Sequence, residues 1–286
     1  MSFLELLKYI FLGAVQGFTE ILPISSSGHV SIFQVIFNLE TDTGLFFITL
    51  LNLGSFIAIA IFFWKFEKEI ITDFFKYIFK KDREKKVVNN FKYSISLIIA
   101  SIPIALVGFL FANKLYIYFQ DYTLIVVGVG SLVTATILYL SKDIVNKYVS
   151  KNLTLKDGII IGLIQPVSVI LGLSRLALTT CTGLNRKVTM ETALKFSILL
   201  YLPISLGELI VNIGKLVTHN QTYFSVFESS PDLYFYYFVA FAISIGVTFF
   251  ALNKIFIWVR KGKFMFFAIY NAIIGLIALL CGIITY

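Results

Sequence analysis

Charged side chains are scarce in this sequence: Asp, Glu, Lys and Arg make up 14% of its 286 residues, against about 25% in a soluble domain. A water-facing globule is therefore excluded. Cysteine is nearly absent as well, and both copies, Cys181 and Cys281, sit in apolar sequence. That excludes a disulfide framework and a thiolate metal site, and leaves two small buried hydrophobes. The N-terminus, Met-Ser-Phe-Leu-Glu-Leu-Leu-Lys, lacks a basic n-region and a small-residue cleavage site, so a removable signal peptide is not expected.

What is abundant is apolar: 58% of the residues are hydrophobic and 16% aromatic, with a mean hydropathy of +0.88. Six stretches reach the roughly 20 residues that a helix needs to cross a hydrocarbon core, at about 43–64, 93–114, 121–140, 191–217, 233–253 and 264–286. Two more apolar regions are interrupted. Pro23 and the run Ser25 to Gly28 split 3–38, while Pro166 and Gly172-Leu-Ser-Arg175 split 157–187. The fold class expected is an all-α polytopic membrane protein. The net charge of +8 does not indicate nucleic acid, because the excess Lys and Arg lie in short loops between spans and report topology.

Three loops carry that charge: Lys65 to Lys92, Lys142 to Lys156 with Lys147 and Lys151, and Lys254 to Lys263 with Arg260 and Lys261. By the positive-inside rule all three are cytoplasmic, and the loop from Thr218 to Asp232, which has no Lys or Arg, is external. The spans then require region 3–38 to dip in from outside and return, and region 157–187 to dip in from the cytoplasm. A single membrane domain, 1–286, would thus consist of two repeats of inverted topology. The first is 1–140, hairpin 3–38 plus three spans; the second is 157–286, hairpin 157–187 plus three spans. A faint sequence echo accompanies this: Gln16 precedes Ser25 by the same interval as Gln165 precedes Ser174, with Gly13 and Gly162 three residues before each Gln. Paired interrupted helices at matching positions point to a site at the repeat interface.

The first interruption is rich in chemistry: Gln16-Gly-Phe-Thr-Glu-Ile-Leu-Pro-Ile-Ser-Ser-Ser-Gly-His29. Gln16 and Glu20, four apart, share a helix face. Gly28 is expected to relieve the backbone at the turn, and a serine to cap a helix starting near Val30. A carboxylate at membrane depth is expensive and marks a site by default. Hydroxyl, imidazole and carboxylate together are the parts of nucleophilic or acid–base hydrolysis, and freed amides at a helix start suit phosphate. Arg175 in the second interruption complements them, since its planar fork matches phosphate oxygens. Its alternatives are a salt bridge to Glu20 or a snorkel to the cytoplasm. Thr179 and Thr180 either donate to the same anion or bond back to their own helix. Glu208 lines a cavity or makes a polar helix contact. His219 and the sequon Asn220-Gln221-Thr222 fall in the external loop.

These residues resemble a known family, the undecaprenyl pyrophosphate phosphatases or bacitracin-resistance proteins. The first motif is similar to E-G-x-T-E-x-x-P-[IV]-S-S-[ST]-G-H; the second, Leu171-Gly-Leu-Ser-Arg-Leu-Ala-Leu-Thr179, is similar to P-G-x-S-R-S-G-x-T. Leu53-Gly-Ser55 with Phe63-Trp64, Phe196 to Pro203 and Phe267 to Tyr270 extend the likeness over nearly the whole chain. The resemblance implies hydrolysis of a polyprenyl diphosphate to the monophosphate on the outer face of the cytoplasmic membrane. That reaction recycles the lipid carrier of peptidoglycan synthesis and confers bacitracin resistance. It also implies Glu20, Ser26, His29 and Arg175 as residues needed for activity, and Ser25, Ser27, Ser174 and Thr179 as their phosphate-binding neighbours. His29 would act as base or nucleophile, with Ser26 the alternative nucleophile, and Glu20 would orient His29 or ligate a divalent cation such as Mg or Ca. The partners are the lipid diphosphate and the membrane, with a homodimer compatible. Gln16 stands where the family has a glutamate, which removes one oxygen ligand for such a cation; Leu171, Leu176 and Ala177 depart as well. The alternative activity is a polyprenyl-phosphate translocator or binding protein that does not hydrolyse.

Overall fold

The computed structural model describes residues 3–39, 44–145, 153–218, 232–260 and 263–285, and the regular structure among them is helical. In chain order the helices are α1 (Phe3–Thr19), α2 (Ser26–Phe37), α3 (Gly44–Phe79), α4 (Lys85–Phe119), α5 (Thr123–Ser141), α6 (Leu155–Ile164), α7 (Arg175–Asn185), α8 (Met190–Leu199), α9 (Tyr201–Thr218), α10 (Asp232–Arg260) and α11 (Phe264–Thr285). Among the described residues six segments are long and apolar enough to cross a membrane: Phe46–Phe79, Lys85–Phe111, Thr123–Ser141, Met190–Asn212, Asp232–Val259 and Phe264–Thr285. Each overlaps one of the six expected spans, and the chain is an integral membrane protein. Lys147, Lys151, Lys261, His219 and the Asn220 sequon lie outside the described residues.

The span expected at 191–217 is broken, with α8 ending at Leu199 and α9 starting at Tyr201. Pro203 explains the position, because a proline ring has no N–H and clashes with the carbonyl four residues earlier, that of Leu199. The break places Tyr201 and the first turns of α9 beside the polar residues of the two interrupted regions.

Close packing is set by glycine. A Cβ on Gly13 of α1 would lie 2.3 Å from the Ala240 carbonyl oxygen of α10, and one on Gly162 of α6 would lie 2.5 Å from Ala100 Cα of α4. We predict that Gly13→Ala forces these backbones apart, at about 1–3 kcal/mol for overpacking. The checking measurement is a lowered thermal midpoint in detergent. The largest buried cluster includes Leu176, Leu194, Leu252 and Phe267, and it also takes in Ile21, Leu22 and Ile24 from the first interruption. Apolar anchors thereby hold a segment without regular structure.

Candidate active site

At the first interruption α1 stops at Thr19 and α2 starts at Ser26, four residues ahead of the expected start. Ser25 is the N-cap, its side chain accepting from the Gly28 amide at 3.3 Å. The unusual dihedral belongs to Ser25, at φ 64°, and not to Gly28, which is already helical. Gly28 is needed for a different reason: a Cβ there would come within 3.1 Å of Gly172. A side chain held in the left-handed region costs of order 1–3 kcal/mol and persists only where the surroundings impose it. Here Asn271 of α11 is one such restraint, donating to the Pro23 carbonyl at 3.1 Å.

The second interruption is built alike. A short 3-10 turn, Gln165–Val169, with Pro166 in its first positions, ends α6, and Ser174 caps α7 by accepting from the Ala177 amide at 3.2 Å. Gly172 lies between them at φ 85°, a conformation glycine adopts without steric cost. Thr134 of α5 holds this loop: its hydroxyl accepts from the Ser174 amide at 3.0 Å and shares its one proton between the Gly130 carbonyl at 3.0 Å and the Gly172 carbonyl at 3.2 Å.

The two interruptions meet. Arg175 Nη2 lies 2.9 Å from Glu20 Oε1, with the side chains 17% and 8% exposed. The Ser26 hydroxyl donates to Glu20 Oε2 at 2.6 Å, and Gln16 Nε2 donates to the same oxygen at 2.9 Å and to Asn52 Oδ1 at 2.8 Å. The Arg175 guanidinium rests 4.7 Å from the centre of the Tyr201 ring, a favourable cation–π placement. Tyr201 in turn donates to the Asn52 carbonyl at 2.8 Å. A cavity of about 180 Å³ opens over this group, with Ser25, Ser26, Ser27 and Ser174 among its walls and Glu208 on α9. Arg175 Nε is buried and has no hydrogen-bond partner.

Glu20, Ser26, Ser25, Ser27, Ser174 and Arg175 are thus brought together, while His29 and Thr179 are not. His29 Nδ1 is 2.8 Å from the Ser25 carbonyl and Nε2 is 2.8 Å from the Tyr270 hydroxyl, and the ring does not line the cavity. A carbonyl only accepts, so Nδ1 carries the proton and, in the neutral ring, Nε2 accepts from Tyr270. That leaves His29 bracing the backbone of Ser25. Tyr270→Phe removes one of these bonds and should cost about 0.5–1.5 kcal/mol, read as a small drop in thermal midpoint with turnover kept within tenfold. The Thr179 hydroxyl donates to the Arg175 carbonyl of its own helix at 2.8 Å, the back-bonding alternative.

The donor set does not make a cage for a divalent cation. Each Glu20 oxygen faces an N–H or O–H donor, and no group of three or more His, Cys, Asp or Glu side chains converges among the described residues. Gln16 fits this arrangement better than a carboxylate would, because its amide supplies protons to both Glu20 and Asn52.

Asn52, Tyr201 and Tyr270 were not singled out from sequence. All three are polar residues inside or at the edge of apolar spans, which carry no local signal. Tyr201 and Tyr270 do fall in segments similar to the family, and Asn52 directly precedes another.

Among the described residues, three of the six membrane-length segments line a polar cavity together with two helix interruptions that a buried Arg–Glu ion pair joins, which defines an integral membrane protein with a buried polar site. The chain belongs to the bacitracin resistance protein BacA family, whose model matches residues 9–277. It is 33% identical over 279 residues to an undecaprenyl-diphosphatase of Oceanobacillus iheyensis, covering 98% of both chains. It is 34% identical over 280 residues to undecaprenyl-diphosphatase 1 of Bacillus licheniformis, covering 98% of this chain and 99% of that one. An undecaprenyl-diphosphatase of Acholeplasma laidlawii is 38% identical over 208 residues, 71% of this chain and 73% of its own.

Proposed function

We propose that this chain hydrolyses undecaprenyl diphosphate to the monophosphate and inorganic phosphate, recycling the lipid carrier of cell-envelope synthesis and conferring bacitracin resistance. Its relatives carry the name of that activity, and the observation that carries the reading is the Arg175–Glu20–Ser26 group at the cavity wall. The terminal phosphate occupies the cavity, with the guanidinium of Arg175, which is part of its wall, donating to it. Hydroxyls of Ser25, Ser27 and Ser174 complete the anion site. The Ser26 oxygen attacks the terminal phosphorus, its proton passes to Glu20 at 2.6 Å, and the bond to the bridging oxygen breaks to release the lipid monophosphate. Water then cleaves the phosphoserine and Ser26 regains its proton. Arg175 stabilises the charge that gathers on the phosphoryl oxygens, where fixed donors act most strongly. His29 braces the backbone of Ser25, and Thr179 bonds back to its own helix.

The two interrupted regions are re-entrant hairpins in repeats 1–140 and 157–286 of inverted topology. Exchanged packing supports this: the first limb of each hairpin seats a glycine, Gly13 or Gly162, on an alanine in the other repeat, Ala240 or Ala100. The exchange recurs at the loops, where Asn271 of the second repeat holds Pro23 and Thr134 of the first holds Gly172. Pro23 stands two residues before Ser25, as Gly172 stands two before Ser174. The loop charges orient the cavity outward at the cytoplasmic membrane, with the isoprenyl chain leaving among the spans.

The test is release of inorganic phosphate from undecaprenyl diphosphate by the purified protein in detergent. One phosphate per lipid is expected. No release, with lipid binding or transbilayer movement retained in liposomes, would replace hydrolysis by translocation.

A further inference from the structure

Glu208 is a carboxylate on a membrane-spanning helix that the mechanism above leaves without a role. It lines the same cavity as Glu20, from α9, and again the narrow seam between α3 and α9 that continues it. Asn52 Nδ2 lies 3.4 and 3.5 Å from its two oxygens. Asn52 Oδ1 accepts from Gln16, and Gln16 donates to Glu20. A chain of two amides therefore joins the carboxylates, with an N–H pointing outward at each end. Such a chain fixes both groups but does not carry a proton between them, because each end only donates. The two carboxylates are free to hold different protonation states in one cavity, as an acid and a base must.

We infer that Glu208 is a second acid–base residue of the reaction, acting from α9 on the oxygen that leaves. This rests on the hydrolytic reading. In the first step Ser26 passes its proton to ionised Glu20 as its oxygen bonds the terminal phosphorus. Protonated Glu208 gives its proton to the bridging oxygen as the anhydride bond breaks, and the lipid monophosphate departs. In the second step water adds to the phosphoserine phosphorus and yields one proton to Glu208, while Glu20 returns its proton to the departing Ser26 oxygen. Both carboxyl groups end as they began.

Glu208→Gln keeps the size of the side chain and its bond to Asn52 but neither gives nor takes a proton. In detergent, with undecaprenyl diphosphate, it should lower kcat about 10²-fold with KM within threefold, the scale of one general acid–base group. The alkaline limb of the kcat profile should also disappear, because that limb reports loss of the proton from Glu208. Glu208→Asp should recover part of the rate together with the limb. An unchanged kcat and pH profile in Glu208→Gln would overturn the inference while leaving hydrolysis standing, as would loss of rate in Glu208→Gln and Glu208→Asp alike with the limb intact. Absence of phosphate release by the wild-type protein would instead overturn the hydrolytic reading itself.

Discussion

Arg175→Lys is expected to reduce phosphate release about 10²–10³-fold, the usual effect of losing one fixed donor at the developing charge. Lysine retains the positive charge, so the loss tests geometry. The guanidinium gives Nη2 to Glu20 and, on the proposed reading, other N–H groups of its fork to the substrate, whereas an ammonium is a point charge without that fork. It also loses the flat contact with Tyr201, 4.7 Å away. Arg175→Ala goes further and leaves Glu20 buried without its cation, which costs about 3–5 kcal/mol of stability. The double variant Glu20→Gln/Arg175→Met removes both charges and should recover much of that stability with no recovery of activity. The comparison separates the chemical role of the pair from its structural one.

Ser26→Ala should have the larger kinetic effect, on the order of 10⁴-fold or more, because removing a nucleophile forfeits the whole covalent route. Stability should change little. Glu20 keeps Gln16 and Arg175 as donors when the hydroxyl is gone, and Ser25, not Ser26, caps α2. Residual turnover within tenfold of wild type would mean that water attacks directly. In that case Ser26→Ala protein quenched during turnover would resemble the wild type in carrying no phosphoserine.

Much of this architecture was legible in the sequence, for reasons that are physical. A helix crossing a bilayer must be apolar over its whole length, so the six spans announce themselves, and loop lysines announce the sides. Charged and hydroxyl residues at that depth are costly, so Glu20, Ser26 and Arg175 stood out as a site. The pairing of Glu20 with Arg175 was one of three readings that sequence left open for the arginine, and only the packing of two distant segments selects it. His29 shows the opposite limit. Its residue type suits catalysis, but its direction depends on Tyr270, 241 residues away. Thr179 similarly shares a helix with Arg175 yet turns its hydroxyl to the backbone. Asn52, Tyr201 and Glu208 sit within apolar spans, where a single polar residue is as compatible with a helix contact as with a cavity. Pro203 was visible throughout, but its consequence, a span split at Leu200, depends on the helix on both sides being held by neighbours.

On the proposed reading the diphosphate lies where the two helix interruptions meet. A structure of the protein with a polyprenyl methylene-diphosphonate, in which carbon replaces the bridging oxygen, tests it directly. The terminal phosphonate is expected within hydrogen-bond distance of the Arg175 guanidinium and the Ser26 hydroxyl, with Glu208 facing the bridge. A headgroup bound elsewhere, with the Arg175–Glu20–Ser26 group untouched, would contradict it.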